Sequence, residues 1–365
     1  MRFFILFLSM MMTGSPALAT TIRVPEDAAT IQAAIDQAGM GDHIQVGAGT
    51  WREQLTLNGR GLTLEATQGA ARTTLDGTGL AGAVLTVHDD AAGRTVIRGF
   101  TITGGTGIAS HYNPSVTVGG GLVIRTSSPL IEKCRFVGNT VGGEGGGVWS
   151  VGGSQPRFVS CEFTANKSER GSGVYLRNSS AVFMSCTFRE NLAVFGGGGL
   201  FADFGSSAVL TDCQFRECRA EFNGGGAYIY DTIVQFNECE FIRNSAGFAG
   251  GAVYQGFRGK GVFESCVFKT QLDSVGGGAS AAIRPPKGAC RVAGQCIETT
   301  EKSCRDAGGL WSGAMTDCVQ VLAAMAPIPR PGDLNDDDRV DIRDVGILMS
   351  LWGGGRPSVE QTKAP

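Results

Sequence analysis

Apolar and polar residues alternate over short stretches through most of this chain, and clusters of glycine separate the stretches. Such alternation predicts half-buried β-strands, and the glycines predict turns between them. One segment near the start of the chain has helical spacing instead, at Ile31, Ala34, Ile35 and Ala38. Thr30 stands where an N-cap is needed. We expect this short helix to lay its apolar stripe over an open end of the structure.

One pattern is repeated six times between residues 119 and 275. Each copy opens with glycines and an aliphatic residue, and closes with Cys-x-Phe-x-x-Asn or a close variant. The closing cysteines are 27, 25, 27, 26 and 27 residues apart, at Cys134, Cys161, Cys186, Cys213, Cys239 and Cys266. A fixed period in this range predicts stacked supersecondary units, in which each strand pairs with its equivalents in the neighbouring units.

The rows of the repeats follow from aligning the last glycine of each cluster, which is Gly251 in the sixth copy. The next residue is always aliphatic and is expected to face inward. Strand alternation then predicts an outward row, which runs Val123, Trp149, Tyr175, Phe201, Tyr228 and Val253. The third position faces inward again, so that Tyr254 is expected inside. The fourth position faces outward.

The outward aromatic residues form the candidate ligand surface, at Trp149, Tyr175, Phe201 and Tyr228. Three charged residues of the fourth position stand beside them, at Arg125, Arg177 and Asp203. Sugar rings stack on flat apolar strips of this kind, and exposed apolar patches mark interaction sites. The alternative is that the rings stack on one another or lie under the C-terminal region.

The regular cysteines and asparagines are expected to be structural. Each cysteine is in an inward row beside a phenylalanine, where a thiol behaves as a small apolar group, and parallel side chains on stacked strands suit a disulfide poorly. The asparagine row is expected to bond the backbones of adjacent coils, through Asn139, Asn166, Asn191 and Asn244.

The repeats and the start of the chain resemble known right-handed parallel β-helix proteins. Three segments are similar to the beginning of the pectin-lyase-like class, at residues 31–35, 41–44 and 49–53. The Gly-Gly-aliphatic and Phe-x-x-Asn pairs are similar to the repeats of bacterial polymorphic outer-membrane and adhesin-type proteins. The resemblance covers about residues 21–280 and implies an all-β solenoid. We expect the N-terminal strand and helix at 20–43 and the β-helix at 44–283.

Binding without catalysis is the favoured function. Glycosidases need two carboxylates at a defined separation, whereas Asp203 and Asp231 fall one coil apart and in different rows. Pectate lyases of the same fold hold calcium with an acid cluster, and none stands out in residues 44–280. The partner is expected to be a polysaccharide or a cell-surface protein. A polysaccharide lyase or glycoside hydrolase is the alternative.

Composition and the first residues place the protein outside the cytoplasm. The net charge is −3 and no block of basic residues is present, so the sequence does not predict nucleic-acid binding. Residues 1–19 combine Arg2, an apolar run and Ala17-Leu-Ala19, which predicts a cleaved signal peptide and a mature chain from Thr20. No later segment has the length of apolar residues that spans a bilayer. The product is expected to be secreted or at the cell surface, with the periplasm as an alternative.

Four late cysteines define a segment at 284–325, at Cys290, Cys296, Cys304 and Cys318. In an exported chain they predict two disulfides with three possible connectivities. Zinc is disfavoured because no Cys-x-x-Cys pair is present.

The segment at 326–365 contains the sharpest motif. A twelve-residue calcium loop needs oxygen ligands at positions 1, 3, 5, 7, 9 and 12, which are here Asp333, Asn335, Asp337, the carbonyl of Arg339, Asp341 and Asp344. The motif resembles one loop of a dockerin, with aspartate at position 12. It departs from the usual loop at position 6, where Asp338 replaces glycine. A full dockerin has two loops, so the resemblance only weakly implies a cohesin partner.

Overall fold

The computed structural model describes residues 19–90, 93–110 and 113–269 in full, and short later strands by their backbone. It divides into two compact units, residues 1–286 and 287–365. The predicted signal peptide at 1–19, apart from Ala19, and the predicted calcium loop from Asp333 to Asp344 lie outside the described residues. So do the side chains of the four late cysteines.

The first unit is a solenoid of parallel strands with three faces, as the repeats predicted. Each strand pairs in parallel with the equivalent strands of the coils before and after it. The first face consists of Leu55–Asn58, Leu85–His88, Leu122–Arg125, Val148–Ser154, the start of Val174–Met184, Leu200–Ala202, Ala227–Ile229, Val253–Gln255 and Val275–Gly277.

The second face follows the first after a turn in each regular coil. It consists of Thr21–Val24, His43–Val46, Thr63–Ala66, Val96–Arg98, Leu130–Glu132, Arg157–Val159, the end of Val174–Met184, Ser207–Thr211, Ile233–Asn237, Lys260–Glu264 and Ala282–Arg284.

The third face is a nine-stranded sheet. It consists of Gly49–Trp51, Thr73–Asp76, Thr101–Thr103, Arg135–Val137, Glu162–Thr164, Thr187–Arg189, Gln214–Arg216, Glu240–Ile242 and Val267–Lys269.

Two smaller sheets and one helix complete the unit. A four-stranded parallel sheet lies between the third face and the next first-face strand, at Lys167–Arg170, Leu192–Gly196, Arg219–Ala220 and Ser245–Ala246. Ile108–Ala109 and Thr117–Val118 pair antiparallel. The helix is Ile31–Gln37, capped by Thr30, whose side chain accepts from Ala33 N. Its buried residues join the solenoid core. No described helix is long enough to cross a bilayer.

Stacked columns of identical side chains fill the interior. The closing phenylalanines lie ring on ring, with centroids 4.8 Å apart for Phe163 and Phe188 and 4.5 Å apart for Phe188 and Phe215. The seven cysteines of the repeats are free thiols, as predicted. Burial raises the pKa of the Cys134 and Cys218 thiols to about 12, which keeps them protonated and unreactive at neutral pH.

The asparagine row ties coil to coil, which confirms its structural role. Asn166 Oδ1 accepts hydrogen bonds from the backbone and side-chain nitrogens of Asn139, at 3.0 and 3.1 Å. Asn166 in turn donates to Asn191 Oδ1 at 3.0 Å. The row is interrupted where Cys218 stands in place of asparagine. Asn191 Nδ2 donates to the carbonyl of Phe163 at 2.7 Å, but in the next coil it meets the Cys218 sulfur, at 3.8 Å, instead of an amide oxygen.

The predicted register of the sixth copy is wrong by one residue. Tyr228 pairs with Tyr254, and Ala227 pairs with Val253. Ala252 takes the place of the last glycine of the cluster, so counting glycines shifted the row. Val253 is therefore in the core, and Tyr254 continues the outward aromatic row.

The second unit contains a three-stranded antiparallel sheet in its described part. The strands are Lys287–Val292, Gln295–Thr300 and Leu310–Ala314. Their pairing sets Arg291 opposite Cys296 and Cys290 opposite Ile297.

Candidate ligand-binding cleft

The outward aromatic row is outside the main core, but most of it is buried. Trp149, Tyr175 and Phe201 are 3%, 0% and 6% exposed and form a second apolar cluster. The prediction that these three rings are open to solvent is wrong. The turn before each first-face strand folds back over the ring: a Cβ on Gly145 or Gly171 would lie 2.8 or 2.9 Å from the Cβ of Trp149 or Tyr175.

Polar contacts fix Trp149 beneath that turn. Its Nε1 donates to Glu144 at 3.3 Å, and Glu144 pairs with Arg170 at 3.5 Å. The guanidinium of Arg125 lies 5.2 Å from the centre of the indole. Trp149 therefore belongs to a covered structural cluster, and the half-buried Arg125 packs against its ring.

Tyr175 holds a carboxylate in place. Its hydroxyl donates to Asp203 Oδ2 at 2.5 Å, and Asp203 Oδ1 accepts from the backbone nitrogen of Phe204 at 2.8 Å. Burial raises the pKa of Tyr175 well above its usual value, and the nearby Glu144 and Asp203 add to the shift. The phenol therefore stays protonated and remains a donor.

A cleft of about 630 Å³ opens on the first face over the later coils. Of the predicted ligand residues, Phe201, Tyr228, Arg177 and Asp203 line it, whereas Trp149, Tyr175 and Arg125 do not. The remaining lining residues are Arg170, Phe195, Phe204, Phe222, Asn223, Tyr230, Asp231 and Phe257. The candidate surface is thus displaced along the solenoid from the predicted one.

Three rows of aromatic residues run along this part of the solenoid. The first row precedes the first-face strands and contains Phe195, Phe222 and Phe248. The middle row lies on the strands and contains Phe201, Tyr228 and Tyr254. The last row follows the strands and contains Phe204, Tyr230 and Phe257.

Neighbouring rings within a row contact one another, and two of the pairs are stacked face to face. Phe201 and Tyr228 have centroids 4.5 Å apart and planes within 5° of parallel, and Phe222 and Phe248 are 5.2 Å apart and within 10°. In these two pairs the rings cover each other's faces, whereas the other neighbouring pairs are tilted by 30° to 46°. Phe204, Phe257 and Phe248 are the most open, at 59%, 60% and 74% exposure.

The charges at the cleft are balanced. Arg258 contacts both oxygens of Asp231, at 2.8 and 2.9 Å, and its guanidinium lies 4.6 Å from the ring centre of Phe257. Arg170 lies 5.1 Å from the ring centre of Phe195. Burial, with Tyr254 nearby, raises the pKa of Tyr228, so its hydroxyl also stays protonated.

Sequence reasoning placed Tyr230 beside the outward aromatic row, but it missed the first row and the other two residues of the last row. Phe195, Phe222 and Phe248 each stand four residues before the last member of a glycine cluster, once Ala252 is counted as that member. This spacing is visible in the sequence. The last row directly precedes residues with positive φ, at Gly205, Asp231 and Arg258, which is a turn signal that the sequence shows only at Gly205.

Among the described residues, no group of three histidine, cysteine or acidic side chains could hold a metal ion. His43 contacts Glu65 at 2.8 Å and His88 contacts Asp89 at 2.7 Å, and neither pair lines the cleft. Asp203 and Asp231 both line it.

Comparisons with known proteins identify the fold. A family model described as "Right handed beta helix region" matches residues 85–269, which is more than half of the chain. No curated protein matches significantly. Among solved structures, a mutant pectin methylesterase bound to a hexasaccharide aligns at 11% identity and TM-score 0.40. The pectin methylesterase PemA from Erwinia chrysanthemi aligns at 13% identity and TM-score 0.37. Each alignment covers 79% of this chain and 87% of the other.

Proposed function

The chain belongs to the right-handed β-helix family, and from the cleft on this solenoid we propose that it is an exported protein that binds polysaccharide without cleaving it. The observation that carries the proposal is the set of exposed aromatic rings around one cleft. Isolated exposed apolar residues are ordinary, but a contiguous group with polar neighbours is typical of a binding surface. The rings offer apolar contacts to the C–H groups of sugars.

Polar groups at the same cleft suit sugar hydroxyls. Asp203, Asn223 and Asp231 carry acceptor oxygens, and Asn223 and Tyr230 also carry donors. Two arginines and two aspartates line the cleft, so no excess of one charge selects a charged polymer. We therefore propose a neutral polysaccharide.

Two features favour binding over hydrolysis. A glycosidase needs one carboxyl group that delivers a proton to the leaving oxygen. At Asp231 both oxygens contact Arg258, and at Asp203 each oxygen already accepts a hydrogen bond. Their second lone pairs remain suitable for accepting hydroxyl hydrogens, which is a binding role.

A glycan array tests the proposal, with wild type and the double variant Phe204→Ala and Phe257→Ala. Both rings are largely exposed, so their removal leaves the core intact. We expect wild type to bind neutral glycans and the variant to lose at least about tenfold in affinity. The matched control is Met184→Ala, an exposed apolar residue outside the cleft. Binding by no glycan, or equal binding by the double variant, contradicts the proposal.

Activity is tested on the same glycans and on polyuronates with Ca²⁺ present. We expect no new reducing ends and no unsaturated products. Turnover of any of them establishes the lyase or hydrolase alternative. Preferential binding of polyuronates contradicts the assignment of a neutral ligand.

We also propose that the loop from Asp333 to Asp344 binds one Ca²⁺. The support is the match of six ligand positions in sequence, followed by an apolar run suited to an exiting helix. Isothermal titration of the full chain with Ca²⁺ should give a binding heat that Asp333→Ala together with Asp337→Ala removes. Absence of heat for wild type at millimolar Ca²⁺ contradicts it. Retention by an immobilised cohesin would extend the proposal to a docking role.

Export and the late disulfides form a third proposal. Secreted protein should begin at Thr20 by N-terminal sequencing. Of 11 cysteines, the seven of the repeats should be alkylated in denaturant without reductant, whereas Cys290, Cys296, Cys304 and Cys318 should require reduction first. Alkylation of all 11 without reductant contradicts the disulfides.

A further inference from the structure

The three aromatic rows form three similar units, one on each of three successive coils. All the rings of the first two units line the cleft, whereas only one ring of the third unit, Phe257, lines it. The first coil supplies Phe195, Phe201 and Phe204, the second supplies Phe222, Tyr228 and Tyr230, and the third supplies Phe248, Tyr254 and Phe257. Each coil therefore contributes one aromatic residue before its first-face strand, one on it and one after it.

The coil that precedes the first of the three units lacks an exposed aromatic residue in the first and middle rows. Register pairs Arg170 with Gly196, which places Glu169 where the following coil has Phe195. The middle-row ring of that earlier coil, Tyr175, is fully buried. The coil of Phe201 is therefore the first with an aromatic residue in the first row.

The spacing of the units follows the spacing of the strands. Successive rings lie 5.7 and 5.2 Å apart in the first row, 4.5 and 4.9 Å in the middle row, and 6.1 Å between Tyr230 and Phe257. Parallel strands repeat at about 4.8 Å. A ligand that runs along the solenoid axis thus meets the same surroundings once per coil, at a distance close to the length of one pyranose unit in an extended chain.

The ring orientation decides how the ligand lies. Phe201 and Tyr228 are stacked face to face, as are Phe222 and Phe248. A sugar therefore has no room between the rings of these pairs and must lie across their outer edges. The first and last rows flank the middle row on both sides, so a side branch at the bound units would meet an aromatic residue. Asp203 and Asp231, from successive coils, supply acceptors along the same path.

We infer that the cleft, together with the aromatic surface that continues it on the third coil, binds a linear, unbranched neutral polysaccharide parallel to the solenoid axis, with one sugar unit on each of three coils. This inference rests on the proposed function and specifies its ligand class. It makes affinity depend on chain length, because each added unit gains contacts with another set of three aromatic residues until the third coil is filled.

Calorimetry with oligosaccharides of one to six units tests the inference. The probes are four unbranched series: β-1,4-glucan, β-1,4-mannan, β-1,4-xylan and β-1,3-glucan. For at least one series we expect affinity to rise about three- to tenfold per unit through the third, and by less than about twofold from the fourth to the sixth.

Two variants locate the units. Phe248→Ala with Phe257→Ala changes the third coil only, and should leave disaccharide affinity within about twofold while removing the gain from the third unit. Phe222→Ala with Tyr230→Ala changes the central coil and should weaken both disaccharide and trisaccharide. Met184→Ala serves as the control, and thermal melting checks that every variant is folded.

The outcomes separate the inference from the proposed function. If single sugars bind as tightly as trisaccharides, or branched polysaccharides compete as well as linear ones, the one-unit-per-coil inference is wrong and polysaccharide binding stands. If the third-coil variant behaves as wild type at every length, the inference is also wrong. If no series binds and the glycan array is blank, both are wrong.

Discussion

Both the phenylalanine column inside the solenoid and the aromatic rows outside it bring rings of successive coils into contact. They differ in how residue type and burial change from coil to coil. Inside, the column keeps one residue type through the regular repeats, and its members Phe163, Phe188 and Phe215 are fully buried. Outside, the middle row changes from Trp149 and Tyr175, which are covered, to rings that border an open cleft. A row that keeps the same residue type and burial from coil to coil is therefore part of the scaffold. A row in which they change indicates where a ligand has room to bind.

The largest expected difference between the two regions is in stability. Phe188→Ala removes a fully buried ring stacked on both neighbours, and should lower the free energy of unfolding by about 3–5 kcal/mol. Phe257→Ala removes a ring that is 60% exposed and should cost below about 1 kcal/mol. Urea denaturation of the two variants measures both. Similar losses would contradict the division into scaffold and cleft.

The second difference is in pH dependence, at the border between the regions. Because the pKa of Tyr175 is raised in the folded protein, its contribution to stability is fully present below the unfolded value of about 10. It is lost as pH rises through the folded value. Tyr175→Phe should cost about 1 kcal/mol at pH 7, by leaving Asp203 without its donor. Above about pH 10, the free energy of unfolding of Tyr175→Phe should fall less steeply with pH than that of wild type.

Urea denaturation of wild type and Tyr175→Phe at pH 7, 9, 10 and 11 gives this comparison. The other titrating groups are common to both proteins, so the difference isolates Tyr175. Parallel curves above pH 10 would show that the phenol is not held protonated by burial.

The smallest expected effect concerns the gap in the asparagine row. Cys218→Asn would give Asn191 the side-chain amide oxygen that the next coil lacks. The backbone nitrogen of Cys218 already donates to Asn244 Oδ1 at 3.0 Å, as an asparagine of the row would. We expect a gain of about 0.5 kcal/mol. Asn166→Ala is the opposite change and should destabilise. A loss of stability in Cys218→Asn would mean that the site favours the smaller thiol over the amide.

The regular parts of the fold were predictable because each row repeats a single physical requirement. Aliphatic residues after the glycines, the phenylalanine column and the asparagine row all sit where alternation and turn chemistry place them. The misplacement of Val253 and Tyr254 arose because Ala252 replaces a glycine at one point. Because the last glycine of each cluster served to align the repeats, this one alanine shifted the predicted positions of the sixth repeat by one residue.

The cleft was less predictable, because its walls come from turns. Alternation correctly put Tyr175 and Trp149 outside the core, but could not show that the preceding turns, with Gly145 and Gly171, cover them. Strand alternation also did not predict that Phe195 and Phe204 line the same cleft. Their positions depend on how the two turns bend on either side of the strand between them.

The most direct test of the cleft is to locate bound polysaccharide on the protein. Hydrogen exchange should be compared with and without the neutral glycan that binds most strongly on the array. We predict slower exchange in peptides covering residues 195–204, 222–231 and 248–258, and no change at 130–137 on the second and third faces. Protection confined to other segments, or no protection at saturating glycan, would contradict the cleft as the binding site.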